Sequence, residues 1–323
     1  MAAAQRRAAR AEERHQRLHA RAMKLQAKAN ELEYAAAEVE DFEERLKQLM
    51  TIHHVVGESM DWPEISAKPA PFEPLKLRRW EEPALRKRDT FKASFFQRLF
   101  RKEQEHRARL EQEVVEAIQR DEISHQRELK LYRQKFEQWQ DLSRLASAVI
   151  RGETEAYLKA FEELDPLSEM QEVGCNFEVS FPDEHTAVMD LTVESEKVVP
   201  RESKSLTRTG KLSAKSVPQS KFCELYQDYV CGCVLRTGRE LFSFLPLTHV
   251  IVNVHATLLD SATGHFRVQP ILSAAMPRKT IETMNFNAVD PSDAMALFPH
   301  RMGFKRSQEF FPISAVLTTE HLG

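Results

Sequence analysis

From Leu18 to Met50 the apolar residues return in alternating steps of four and three: Leu18, Ala22, Leu25, Ala29, Leu32, Ala36, Val39, Leu46 and Met50, with Glu43 interrupting. Steps averaging 3.5 residues keep one stripe turned toward a partner helix in a left-handed supercoil, and alanine on one side of it lets two backbones approach closely. Residues 1–50 are therefore expected to form a heptad helix whose partner is a second copy or another part of this chain. A single amphipathic helix lying on the rest of the protein would give a similar stripe. Residues 1–17 are less periodic and are expected to fray.

Residues 51–88 lose this pattern. Gly57, Pro63, Pro69, Pro71, Pro74 and Pro83 stand at a density that neither a helix interior nor a central strand accepts, so the segment reads as a proline-rich connector. Trp62, Phe72 and Trp80 would pin it to a surface, because a free linker has no use for large apolar side chains. Helical spacing returns with Phe95, Leu99, Leu110, Val114, Ile118, Leu129, Tyr132, Phe136, Trp139, Leu142, Ala146 and Ile150, and no proline occurs between Pro83 and Pro166. This predicts a second long helix over residues 89–151, stopped by Gly152. Its stripe thins across RDEISHQRE, residues 120–128, where a stutter or local unwinding is expected. Two such helices joined by a connector suggest an antiparallel hairpin, each arm of about 50 residues spanning roughly 75 Å.

Beyond residue 152 the period changes from a helical one to two. After a short helix ending at Asp165-Pro166, the string NFEVSFPDEHTAVMDLTV alternates apolar and polar residues about a central turn, as a hairpin does. PRESKSLTRTGKLSAKSVPQ is polar and weakly patterned and reads as a long loop. KFCELYQDYVCGCVLRTGRELFSFLP has Phe222, Leu225, Tyr226, Tyr229, Val230, Cys233, Val234, Leu241 and Leu245 at helical steps, which gives a buried helix whose two glycines need close neighbours. HVIVNVHATLL and RVQPILSAAMP flank the turn-rich DSATGH and form a second hairpin. The expected fold class is α+β: a long N-terminal helical hairpin or coiled coil, then a compact domain over 152–323 with a mostly antiparallel sheet packed by one main helix.

Composition sharpens this division. Of nine glycines only Gly57 and Gly152 precede residue 170, so the first half is built from helix-forming material. Residues 1–150 hold 29 Lys and Arg against 26 Asp and Glu, while 151–323 hold 17 against 23, so the helical half is slightly basic within a chain of net charge −3. No apolar run approaches the roughly 18 residues of a membrane helix. The Arg-rich start lacks the apolar core of an export signal, and its Glu12 and Glu13 are foreign to an organelle-targeting peptide. Four cysteines make no disulfide framework, and a cytoplasmic location is expected.

FKASFFQRLF, GETEAYLKAFEELDPLSE, CELYQDYVCGCVLRTGRELFSFLP, LLDSATGH and NFNAVDPSDAMALFPHRMGFKRSQEFFPI occur in that order. As a set they resemble an uncharacterised bacterial family whose C-terminal domain follows a helical segment, often behind a small N-terminal domain. The resemblance covers roughly residues 50–315 and implies no particular activity. Here the heptad helix stands where that small domain would be.

Four groups of residues invite a chemical reading. Asp190, Glu194, Glu196 and Lys197 carry the residue types with which a restriction-endonuclease-like nuclease holds a metal. Asp260, Thr263, His265 and Gln269 could converge at a hairpin end for acid–base work, or Asp260 could simply cap the turn. Cys231-Gly-Cys233 with Cys223, His249 and His255 suggests zinc, but two residues apart on a helix point about 200° away from each other, so no metal is expected. Residues 75–102 hold ten Lys and Arg against three acids, interleaved with aromatics. There Arg78, Arg79, Trp80, Arg86, Lys87, Arg88 and Lys92 could grip a nucleic acid, or the aromatics could dock the segment on the protein's own body.

The leading expectation is a non-enzymatic interaction protein, self-associating or binding a partner protein through its coiled coil, with no cofactor. A metal-dependent nuclease and a sequence-independent nucleic-acid binder through residues 75–102 are the alternatives.

Overall fold

The computed structural model describes residues 2–57, 59–92, 103–172, 174–194 and 198–321, with side chains from Arg14 onward. The chain divides into two compact units, one of residues 61–151 and one of residues 1–60 with 152–323. The fold is α+β, with two long helices and a five-stranded mixed sheet on which a helix packs.

In the unit of residues 61–151 the connector is not irregular throughout. Helices α2 (Trp62–Ala67) and α3 (Glu81–Asp89) form within it and pack along the long α4 (Glu103–Ile150). Asp61 caps α2 by accepting the Glu64 amide at 2.8 Å, and Pro63 sits in the first turn, where its missing N–H costs nothing. Trp62 is buried and Trp80 half-buried, whereas Phe72 is 93% exposed and pins nothing. The polar run 120–128 causes no unwinding, and α4 is continuous through it. Its buried Asp121 instead accepts the backbone amides of Arg79 at 3.0 Å, Trp80 at 3.1 Å and Glu81 at 2.8 Å. A carboxylate borrowed from α4 thus satisfies the orphan donors at the start of α3. The gap in the apolar stripe is a contact with a helix end.

In the other unit, α1 (Ala2–Met50) is helical from its second residue. Gly152, at φ +79°, ends α4, and α5 (Thr154–Leu164) and α6 (Ser168–Glu172) follow. Strands β1 (Cys175–Asp183) and β2 (Thr186–Val193) form the expected hairpin. Residues 202–216, expected to be a loop, form a two-stranded hairpin of β3 (Glu202–Leu206) and β4 (Leu212–Ser216). Its strands carry few apolar residues, which is why the alternation that marks a strand was missing. The main helix α7 (Gln219–Phe244) precedes β5 (His249–Asp260) and β6 (His265–Pro277), and β7 (His300–Met302) closes the edge. The sheet order is β1-β2-β5-β6-β7, antiparallel except for β2 against β5. That parallel pair is possible because α7 supplies the crossover.

Helices α5 and α7 cover one face. Phe161 and Phe177 meet edge to face at 5.8 Å, and the Cys233 and Cys175 sulfurs lie 3.7 Å apart. Along the same face Ala187, Met189, Leu191, Val250, Val252, Val254, Leu272, Ala274 and Met276 are buried, each Val, Leu or Met side chain contributing roughly 1.5–3 kcal/mol. The glycines of α7 are needed for approach: a Cβ on Gly238 would come within 2.7 Å of Met276, and one on Gly232 within 2.8 Å of Ile52. On the opposite face, the C-terminal segment lays Leu317 over Ile251, Ala275 and Val188.

Candidate functional site

Helix α1 uses its length in two ways. From Leu32 onward it packs on its own unit: Ala35, Leu49, Ile52 and His53 are buried, and Leu32, Val39, Phe42 and Leu46 half-buried. The steps 32, 35, 39, 42, 46, 49 are still heptad steps, but the ribbon runs through Ala35, Phe42 and Leu49. Ala36, Glu43 and Met50, which the sequence reading placed in it, flank it. Glu43 is therefore no interruption: it is exposed, and Phe42 fills the layer. The β3–β4 hairpin covers this stretch, with ion pairs from Lys204 to Glu38 and from Lys211 to Glu31 at 3.1 Å, and Gly210 held against Leu32. Lys204 holds the Glu38 carboxyl below the usual range, chiefly by its hydrogen bond.

N-terminal to Leu32 the apolar stripe passes into the flanking register of Ala36, and there it is bare. Leu18 is 58% and Leu25 70% exposed, and Ala22 and Ala29 between them are exposed as well. These four side chains fall within about 60° of helix arc, an apolar face about 17 Å long at 1.5 Å per residue.

The carboxylate set proposed for a nuclease is dispersed as far as it is described. Asp190 is exposed on β2, and Glu194 lies four residues further along the same run of chain, about 13 Å away at strand spacing. Glu196 and Lys197 lie outside the described residues. Asp190 Oδ1 accepts the Asn253 amide at 3.1 Å, Asn253 accepts Ser273 Oγ at 2.7 Å, and Ser273 Oγ accepts the Leu317 N–H at 2.8 Å. Glu178, Asp190, Asn253, Ser273 and Arg301 stand in register across all five strands. This polar row, on the face away from α7, was invisible in the sequence because strand pairing alone aligns it. It fastens the C-terminal segment.

Asp260 caps its turn. It accepts the Ala262 amide and the Thr263 hydroxyl, both at 2.9 Å, and these bonds hold its carboxyl below the usual range, the reverse of a general acid. His265 is exposed, and Gln269 sits four residues along β6 opposite Ala256, so the quartet does not converge. All four cysteines are buried and free, and burial raises the Cys231 thiol. Among the described residues no group of three or more His, Cys, Asp or Glu is placed to hold a metal.

The basic segment over residues 75–92 spends its charges within its own unit. Lys76 meets Glu122 and Lys87 meets Glu113, each at 2.5 Å, while Arg78, Arg86 and Arg88 pair with Glu81, Glu82 and Asp89. Arg79 offers its backbone to Asp121, Trp80 lies under Arg120 at 5.8 Å, and Lys92 is exposed. Among the described residues, Trp80 and Phe91 lie against α4 residues Arg120 and His106. Residues 93–102 lie outside the described residues.

Sequence reasoning missed a buried ionic knot. Arg236 on α7 pairs with Glu240 at 3.0 Å and Glu169 at 2.9 Å, and Glu240 also accepts the Gly57 amide through both oxygens at 2.9 Å. Burial nonetheless holds the Glu240 carboxyl above its ordinary value. An Arg and a Glu four apart on an otherwise apolar helix were the available signal.

No family model, no curated protein and no solved structure matches this chain. No helix among the described residues is long and apolar enough to cross a membrane.

Proposed function

We propose that this is a non-enzymatic interaction protein that associates through the free half of α1, with the α+β unit as its platform. The observation that carries this reading is one helix with two environments: it is packed along Leu32, Ala35, Val39, Phe42, Leu46 and Leu49, and an adjoining apolar stripe is open at Leu18, Ala22, Leu25 and Ala29. A solvated helix end gains nothing from leucines at heptad spacing, whereas a second helix would bury them.

A second copy is the simplest occupant. With two α1 helices antiparallel and residues summing to 47 placed opposite, Leu18 faces Ala29 and Leu25 faces Ala22. Each small residue then meets a large one, and the interaxial distance stays even, while a parallel pair would stack Ala on Ala and Leu on Leu. Membership of the bacterial family that the C-terminal strings resemble is part of the proposal.

Sedimentation equilibrium of the full chain tests it. The expected mass is about twice 37.3 kDa, returning to 37.3 kDa for Leu18→Glu with Leu25→Glu while helix content is kept. A wild-type monomer with the ribbon protected from solvent labelling would overturn it, because the helix would then be packing on its own chain.

A further inference from the structure

The four free cysteines are not equivalent. Cys223, Cys231 and Cys233 share α7, yet no two of them meet there: Cys231 and Cys233 point about 200° apart, and Cys223 lies about 12 Å of helix axis from Cys231. The neighbour of Cys233 comes instead from 58 residues away. Cys175 opens the edge strand β1, opposite Val193 of β2, and the packing of α7 on the sheet brings its sulfur to 3.7 Å from that of Cys233. Tyr229, one turn before Cys233 on α7, sets its hydroxyl 3.3 Å from the Cys175 sulfur. Both cysteines are buried, Cys175 at 1% and Cys233 at 0% exposure.

A buried cysteine often serves only as a small apolar side chain. This pair has two features that packing does not require. Closing 3.7 Å to a sulfur–sulfur bond of about 2.05 Å moves each sulfur by under about 1 Å, within the reach of rotation about Cα–Cβ. The two thiols also differ: hydrogen bonds with Cys233 and Tyr229 hold the Cys175 thiol below its ordinary value, while burial raises that of Cys233. We infer that Cys175 and Cys233 form a reversible disulfide site, closed by a peroxide and reopened by a dithiol, which staples the edge strand β1 to the main helix α7. The Cys175 thiolate attacks a peroxide oxygen, the O–O bond breaks, and hydroxide leaves while Cys175 becomes a sulfenic acid. The Cys233 sulfur then attacks the Cys175 sulfur, the S–O bond breaks, and the hydroxyl leaves as water with the Cys233 proton. Two thiols and one hydrogen peroxide thus give one disulfide and two waters, and the two electrons lost by sulfur reduce the peroxide. The inference rests on the α+β unit alone and is independent of pairing through α1.

Treating the reduced full chain with hydrogen peroxide, in native buffer and separately in denaturing urea, then alkylating it unfolded and digesting it, tests this. In native buffer the mass should fall by about 2 Da, two thiols should escape alkylation, and the peptides of Cys175 and Cys233 should stay joined until dithiothreitol separates them. The unfolded chain provides the contrast, because loop closure there favours short links among Cys223, Cys231 and Cys233 over a partner 58 residues away. The staple should raise the urea midpoint by about 1 M, and dithiothreitol should return it. Cys175→Ala and Cys233→Ala should each abolish the shift, while Cys223→Ala with Cys231→Ala should keep it. The wild-type chain before and after dithiothreitol gives the same reading with no substitution. The inference is overturned if the native chain keeps four alkylatable thiols, if its product is a sulfinic acid or a different cysteine pair, or if the joined chain unfolds at the midpoint of the reduced one.

Discussion

Acidification should weaken this fold through one side chain, His53. It is 2% exposed at the end of α1, and both ring nitrogens lack a hydrogen bond, the facing Val289 backbone falling short of bonding geometry. The His54 ring stands edge-on at 4.4 Å, and the Arg239 guanidinium binds the carbonyls of His53 and His54 at 2.5 and 3.1 Å. Burial first, then the neighbouring His54 and Arg239, oppose a charge on the ring and lower its pKa from 6.5 to about 4, with the Val289 backbone and Asp290 pulling the other way. Unfolded, the imidazole takes a proton near its ordinary value. Between about pH 6.5 and pH 4 the unfolded chain therefore holds the extra proton, and stability falls as pH falls. At 1.36 kcal/mol per pH unit the loss approaches about 3 kcal/mol. Urea unfolding from pH 7.5 to 4 would measure it, with His53→Leu as the reference that keeps the volume and removes the titration. The wild type should lose about 3 kcal/mol more than the variant over that range. Parallel curves would refute the reasoning, since every other group titrates in both proteins.

Glu240→Ala leaves Arg236 charged in a buried site and the Gly57 amide unmet, so urea unfolding should show a loss of about 3–5 kcal/mol, most of it restored by Arg236→Met with Glu240→Leu. Gly232→Ala would drive a methyl to 2.8 Å from Ile52 Cγ2, and a thermal scan should show about 1–3 kcal/mol of destabilisation, eased by Ile52→Leu, which has no branch at Cβ. Asp121→Ala strips three amides of α3 of their acceptor, and hydrogen exchange at Arg79, Trp80 and Glu81 should speed up by at least tenfold, with about 2 kcal/mol lost from that unit. Asp260→Ala changes an exposed turn and should cost under about 1 kcal/mol.

Most of the architecture could be read from the chain, because periodicity and turn chemistry are local. The 3.5-residue repeat of α1, the apolar steps of α7, the alternation of β1, β2, β5 and β6, and Gly152 as a helix stop all appear where expected. The exceptions have a common cause. The β3–β4 hairpin shows no strand signal because it is held by its backbone ladder and by lysines pairing with α1, and the polar run of α4 looks like a break in the stripe because its partner lies 40 residues away. Likewise the α1 ribbon was assigned to Glu43 rather than Phe42, since two adjacent heptad registers share Leu32, Val39 and Leu46 and only the neighbouring hairpin selects between them.

Candidate sites divide in the same way. Residue types at Asp190, Glu194, Asp260 and His265 suggested chemistry, but whether side chains converge depends on strand register and on what each carboxylate already binds. By itself the sequence determined the long helices, the apolar strands and most of their apolar stripes, because those follow from side-chain spacing along one backbone. The tertiary structure alone decided which part of each stripe is used up, which charges are spent on neighbours, and that α1 keeps an apolar stripe exposed, because burial and pairing belong to contacts between residues far apart in the chain.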